Sequence, residues 1–203
     1  TKALLLGLSI EGVNNVLVVT GDPVPTAERD EVKAMFSFNS AILANYITNL
    51  NEKTFSSPFN IFGALNINAI NFSSQLDHAK KKIENGVTMF LTQPILSKQA
   101  VENLKQARRE LPAKILGGII PIVSYRNACF MNNEISGITV SDEITELYNG
   151  ISKDEAKILA IKISTDIARE IYNYVDGYYL ITPFKRIDII SEIIKNIGTM
   201  DSY

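Results

Sequence analysis

The sequence predicts an α/β fold built on a parallel sheet, and three observations lead there. Short apolar runs recur along the chain, each followed by a longer stretch with helical spacing. Every run reads apolar on both faces, as strands buried within a parallel sheet do. Four of the five runs meet a proline within a few residues and carry polar side chains there. Polar groups gathered at the carboxyl end of every strand suit the mouth of a (β/α)₈ barrel, whereas an open doubly wound sheet concentrates them at one switch point. The barrel is therefore the expected architecture.

The elements follow in order. The first run, Val16-Leu17-Val18-Val19, ends at Thr20-Gly21-Asp22-Pro23, and Leu43, Ile47 and Leu50 mark the helix after it. The second, Phe59 to Leu65, ends at Asn66 and precedes a helix over Leu76 to Ile83. The third, Val87 to Leu91, ends at Thr92-Gln93-Pro94; beyond it Val101, Leu104, Arg108 and Leu111 share a helical face with Arg108 as the polar exception. The fourth, Ile115 to Ile120, ends at Pro121. Ser152-Lys153-Asp154-Glu155 then has the form of a capping box. It opens a helix in which Leu159, Ile163, Ile167 and Ile171 step by four. The fifth run, Tyr178 to Ile181, ends at Thr182-Pro183, and Ile187 to Ile197 reads as a closing helix. Parallel neighbours need long, right-handed crossovers, which these helices supply. No linker or low-complexity segment intervenes, so residues 1–203 are expected to form a single domain.

Composition narrows the function. Of 203 residues, 46% are apolar and 21% charged, enough for a packed core. The net charge of -2 offers no basic surplus for nucleic acid or an anionic membrane. A single cysteine, Cys129, excludes an internal disulfide, and a single histidine, His78, excludes a multi-histidine metal site, so no metal is expected. His78 reads as structural and Cys129 as a small core residue. The early apolar run Ala3 to Ile10 is too short to span a bilayer and lacks a cleavage site, which makes the cytoplasm the expected compartment.

Several strand ends carry chemistry-bearing groups. Asp22, on the turn Gly21-Asp22-Pro23, either orients a ligand or simply stops a strand. Asn66 and Asn68 either hydrogen-bond a polar cofactor or satisfy loop backbone. Gln93 has an amide that both donates and accepts, which suits the paired edge of a planar heterocycle; its alternative is an ordinary polar strand terminus. Lys80-Lys81-Lys82 is either a solvated face that favours the helix carboxyl end or, for one or two of the three at helical spacing, a set of ammonium groups pointing toward a phosphate. Gly117-Gly118 permits close backbone approach. Tyr125, Arg126 and Asn127 follow the fourth run and are candidates to line the same mouth; Lys185 and Arg186 follow the fifth and are candidates to meet an anionic tail there. No nucleophile–base pair and no glycine-rich phosphate loop occurs, so a bound organic cofactor fits better than covalent hydrolysis.

The ordered set of these motifs resembles the methylenetetrahydrofolate reductase family. Asn15 to Pro23 resembles its fourth-strand signature, and Gly63-Ala64-Leu65-Asn66-Ile67-Asn68 its fifth. Lys80 to Gly86 with Phe90 to Pro94 resembles the sixth passage, Gly117 to Ala128 the seventh, and Tyr179 to Arg186 the eighth. The reductase half of bacterial bifunctional homocysteine S-methyltransferase/methylenetetrahydrofolate reductase proteins is the most similar branch.

The resemblance implies a (β/α)₈ TIM barrel of which this chain holds the last five βα units, strands four to eight. Five units in 203 residues average about 40 each, and eight need roughly 320, within the range of the fold. It implies FAD as cofactor, with NAD(P)H reducing the flavin and 5,10-methylenetetrahydrofolate then taking the hydride to become 5-methyltetrahydrofolate, a step of one-carbon metabolism and methionine supply. Asp22 and Gln93 take the catalytic positions. Thr20, Gly21, Asp22, Ala64, Asn66, Asn68, Lys81 and Lys82 lie at the cofactor, and Gln93, Asn127 and Arg186 on the folate side.

Departures from the family pattern are Thr20 for an arginine, Leu65 for a tyrosine, Ile67 for a proline and Gln75 for an acidic residue. The general-acid glutamate of the first strand has no counterpart in this chain. That leaves a rival expectation, a catalytically incomplete barrel that serves only as a binding or interaction module. A homo-oligomer remains open.

Overall fold

The computed structural model describes residues 1–20 and 39–198, and the side chain of Phe184 is not among the described groups. The chain alternates helices and strands throughout. Helix α1 (Lys2–Ile10) leads to β1 (Asn15–Val18), α2 (Ser40–Lys53), β2 (Asn60–Leu65), α3 (Phe72–Glu84) and β3 (Met89–Pro94). Then come α4 (Lys98–Glu110), β4 (Lys114–Ile119), α5 (Tyr125–Glu134), α6 (Asp142–Glu146), α7 (Lys153–Ile171), β5 (Gly177–Leu180) and α8 (Ile187–Gly198).

The strands form a five-stranded sheet in the order β1-β2-β3-β4-β5. Residues Asn15↔Asn60 through Val18↔Gly63 pair in parallel, as do Leu116↔Gly177 through Ile119↔Leu180. This unbroken sequential strand order is that of the (β/α)₈ folds; a doubly wound sheet would reverse its order at a switch point. The expected α/β class and parallel sheet are thus present.

The chain divides into two compact units, Thr1–Ala64 with Asp77–Phe90, and Leu65–Leu76 with Leu91–Tyr203. In the first, α2 begins at Asn39, whose Oδ1 accepts from the Ile42 N–H at 2.9 Å. Gly86 sits at φ 101° with the Thr48 side chain against it. An alanine Cβ there would meet Thr48 Oγ1 at 2.0 Å, so glycine alone makes this turn.

In the second unit, serines 97, 124, 141 and 152 cap α4, α5, α6 and α7. The expected capping box is complete, since Glu155 Oε2 accepts from the Ser152 N–H at 2.8 Å while Ser152 Oγ accepts from the Glu155 N–H at 3.3 Å. Leu96, Ile120, Ile122, Met131, Val140 and Tyr148 pack in one buried cluster. A second is built from Ala160, Ile189 and Ile193 where α8 meets α7. The Tyr148 hydroxyl is buried without a hydrogen-bond partner, and burial pushes its pKa upward.

Three expectations change. Strands β2 and β3 are buried on one face only: Ile61, Gly63 and Leu65 are buried while Phe62 and Ala64 are half-exposed, and Phe90, Thr92 and Pro94 alternate with Met89, Leu91 and Gln93 in the same way. Apolar residues on both faces therefore do not mean burial of both faces. Strand β3 also runs on through Thr92-Gln93-Pro94, because a proline lacking an N–H is tolerated at a strand's last position. On α7 the fully buried positions are Ala156, Ala160, Ser164, Thr165, Ala168 and Ile171, while Leu159, Ile163 and Ile167 are half-buried against the first cluster. Small side chains let a helix approach its neighbours closely. A Cβ added at Gly117 of β4 would stand only 2.7 Å from Ile171 Cδ1.

Arg108, the polar exception on α4, is exposed and donates to Asp176 Oδ2 at 2.8 Å, and the same oxygen accepts from the Ile115 N–H at 2.8 Å. The lone His78 lies exposed on α3, and Cys129 is half-buried on α5 rather than sealed in the core.

Candidate functional site

Gly21 and Asp22 lie outside the described residues. Thr20, the residue before them, ties the end of β1 to the start of α2: its hydroxyl donates to Ser40 Oγ at 3.2 Å and accepts from the Ser40 N–H at 3.2 Å. Its side chain is thus spent on anchoring the helix start rather than presented whole to a ligand.

Ala64 and Lys82, both expected at the cofactor, are brought together in the first unit. Lys82 Nζ donates to the Ala64 carbonyl at 2.8 Å. Burial of the ammonium holds its pKa below the ordinary lysine value, and no carboxylate pairs with it among the described residues. A half-buried cation on one carbonyl keeps two further donors and an unneutralised charge, which is the chemistry of an anion site. Lys81 differs: it is exposed, and its carbonyl accepts from Asn85 Nδ2 at 2.7 Å.

In the second unit, Asn66 and Asn68 form a knot at the end of β2. Asn66 Oδ1 accepts from the Asn68 N–H at 3.0 Å, the side-chain mimic of a turn. Asn68 Nδ2 donates to the Pro94 carbonyl at 3.1 Å and to the Gly137 carbonyl at 2.9 Å. Asn68 Oδ1 is buried and unpartnered. Of the two readings open in the sequence, satisfaction of loop backbone describes the donors of Asn68. The Asn66 amide nitrogen is held against Gly137, whose φ of 82° and tight packing favour glycine.

Gln93 lies half-buried in β3, and its side-chain amide takes no partner among the described residues. Its main chain, by contrast, is held. Thr92 Oγ1 donates to the Gln93 carbonyl at 2.9 Å and accepts from the Gly118 N–H at 2.8 Å. A planar amide with an unspent donor and acceptor on a fixed backbone can read the edge of a heterocycle.

Asn127 and Arg186 are occupied locally. Asn127 is buried; its Oδ1 accepts from the Val123 N–H at 3.2 Å and its own N–H donates to Ser124 Oγ at 3.1 Å, closing the first turn of α5. Arg186 folds back on Asp188, with Nε 3.2 Å from Oδ1. Lys157 reaches the same carboxylate at 2.7 Å, and the two cations hold the Asp188 carboxyl well below the usual range. The structure thus pairs Ala64 with Lys82 and Asn68 with the strand end after Gln93, and it turns Arg186 toward its own helix. Thr92 and Gly118 are additions: a threonine directly before the glutamine and a glycine pair in the next run are the only sequence signals for them.

Among the described residues, no group of three or more His, Cys, Asp or Glu is placed to hold a metal ion. None of the described helices is long and apolar enough to cross a membrane.

Comparison with known proteins adds an independent finding. The family profile described as Methylenetetrahydrofolate reductase matches residues 2–198. Among curated proteins, none matches the chain. An uncharacterized protein from Clostridium thermocellum, which binds two copies of 5-methyl-5,6,7,8-tetrahydrofolic acid, resembles it in structure with a TM-score of 0.57 and 11% identity. The match covers 84% of this chain and 62% of that one, so this chain spans a little over three-fifths of that protein's length. The alpha subunit of tryptophan synthase from Legionella pneumophila str. Paris aligns over 98% of this chain and 87% of its own, at 13% identity and a TM-score of 0.37.

Proposed function

The chain belongs to the methylenetetrahydrofolate reductase family, and on that premise we propose that it serves the FAD-dependent reduction of 5,10-methylenetetrahydrofolate to 5-methyltetrahydrofolate by NAD(P)H. The observation that carries the reading is Gln93: an amide without a partner among the described residues, on a clamped strand end, at the position where the family motif Thr-Gln-Pro meets the pterin. The folate bound by the Clostridium thermocellum protein supports the same ligand class. Branch membership with the bifunctional proteins belongs to the same proposal and rests on the ordered set of strand-end motifs as a whole, with Ile67 in place of proline as a departure from that branch.

The residues present fit an anionic dinucleotide. Lys82 is half-buried without a carboxylate, and a pyrophosphate would neutralise it. Lys82 would hold that group with the exposed Lys81 as its second cation. FAD, when bound, supplies hydride transfer between nicotinamide and folate. The chain's own part is to bind and orient. Gln93 accepts and donates at the pterin edge, which fixes the ring against rotation. Asp22 is assigned to the pterin on the same family pattern. Arg186 becomes available to an anionic folate tail by exchanging the Asp188 carboxylate, which Lys157 retains.

A titration with 5-methyltetrahydrofolate tests the reading. The wild type is expected to bind, with Gln93→Ala weakening binding about tenfold or more, the worth of one or two buried hydrogen bonds. Binding that ignores the Gln93→Ala change defeats it.

One observation favours a second reading. Leu17 on the terminal strand β1 and, separately, Tyr179 on the terminal strand β5 are 47% and 40% exposed, as apolar side chains on edge strands that take a covering partner are. A chain that binds FAD and folate yet oxidises no NAD(P)H would establish this binding-only role.

A further inference from the structure

We propose that Thr92 is a positioning residue for Gln93, acting through the main chain; this rests on the folate-reading role given to Gln93 above. Thr92 is 3% exposed, so its hydroxyl contacts only protein. That hydroxyl makes two bonds with opposite sense. It accepts from the Gly118 N–H at 2.8 Å and donates to the Gln93 carbonyl at 2.9 Å. A side chain thus reaches across from β3 to the Gly118 N–H of β4 and passes the link on to the peptide that follows Gln93.

The neighbouring groups complete the grip. Ile95 N–H donates to the Gly118 carbonyl at 3.0 Å, and Asn68 Nδ2 holds the Pro94 carbonyl at 3.1 Å. Gly118 comes close enough for this because it has no Cβ; one would stand 2.7 Å from the Thr92 carbonyl oxygen and 2.9 Å from that of Gln93. From Thr92 to Ile95 the backbone is therefore held from both sides, while the Gln93 amide takes no partner among the described residues. A valine would fill the volume of Thr92 and suit a strand equally well. The hydroxyl is the part that packing does not require, and it acts on the residue whose side chain is free.

A double-mutant cycle read by 5-methyltetrahydrofolate titration tests this, with thermal melts of every variant alongside. Thr92→Val is expected to weaken binding about tenfold in the wild-type background and less than about twofold in a Gln93→Ala background, because only an oriented Gln93 can lose orientation. The melting temperature should fall equally in both. Thr92→Ser, which keeps the hydroxyl, should restore affinity to within about twofold. Thr92→Ala serves the same cycle if valine is rejected from the strand. Equal weakening in both backgrounds overturns the proposal, as does full affinity in Thr92→Val. If Gln93→Ala weakens binding while Thr92→Val does not, the positioning role alone falls. If the wild type binds no folate, the functional reading falls and takes this one with it.

Discussion

Replacing Gly118 by alanine should destabilise the fold through one identifiable collision. The added Cβ would lie 2.7 Å from the Thr92 carbonyl oxygen, 2.9 Å from the Gln93 oxygen and 3.0 Å from the Gln93 carbonyl carbon, where ordinary contact begins at 3.4 Å. All three are main-chain atoms, so no side chain can swing aside, and β3 and β4 must separate by about half an ångström or more. Overpacking of this kind costs about 1–3 kcal/mol. The smaller entropy of the unfolded alanine chain returns about 0.4–1 kcal/mol. The mid-range values leave a net loss of about 1.3 kcal/mol, or roughly 3–5 °C in melting temperature for a chain of this size. Gly7 is the internal control: it lies within α1, and a Cβ added there would meet nothing within 4 Å, so Gly7→Ala should gain about 0.5–1 kcal/mol. Thermal and urea melts of the two variants decide the matter. A Gly118→Ala protein as stable as wild type would refute the close approach on which the Gln93 geometry depends.

The remaining predictions concern charge and caps. Burial lowers the Lys82 pKa, so the unfolded chain binds that proton more tightly, and stability should rise with pH between the folded value and 10.5. Urea melts across that range should show the rise in wild type and lose it in Lys82→Met, with pyrophosphate flattening it by favouring the charged form. Asp176→Ala removes the acceptor of both Arg108 and the Ile115 N–H and should cost about 1–2 kcal/mol, discounted for partial exposure and read from denaturant midpoints. Ser152→Ala opens the capping box of the longest described helix and should cost about 1 kcal/mol in the same assay.

Much of the fold is legible in the sequence because buried strands and amphipathic helices obey periods of two and 3.6. All five apolar runs become strands, and the Ser152–Glu155 box opens α7 as expected. The misreadings share a cause: periodicity reports apolar character and not the distance between elements. The large residues Leu159, Ile163 and Ile167 stand out on α7, yet Ala156, Ala160, Ser164 and Ala168 are the ones buried, since close approach selects small side chains. Strand β3 outlasts its apolar run because Thr92 satisfies its hydroxyl within the sheet. At the site, Gln93 is readable as an amide at a strand end; Lys82 is readable only as one member of a charge run, and its burial against the Ala64 carbonyl is not. The roles of Asn68 and Arg186 are not, because which partner a polar side chain takes is decided by contacts such as those to Gly137 and Asp188.

The central claim is a flavin-dependent reductase site on these strand ends, and the absorbance spectrum of the purified protein mixed with FAD tests it most directly. The flavin should stay with the protein through gel filtration, lose its yellow colour on addition of NAD(P)H without oxygen, and regain it on addition of 5,10-methylenetetrahydrofolate. Retention should weaken in Lys82→Met and recolouring should slow in Gln93→Ala. A protein that elutes colourless after incubation with FAD, or one whose reduced flavin ignores the folate, would contradict the account.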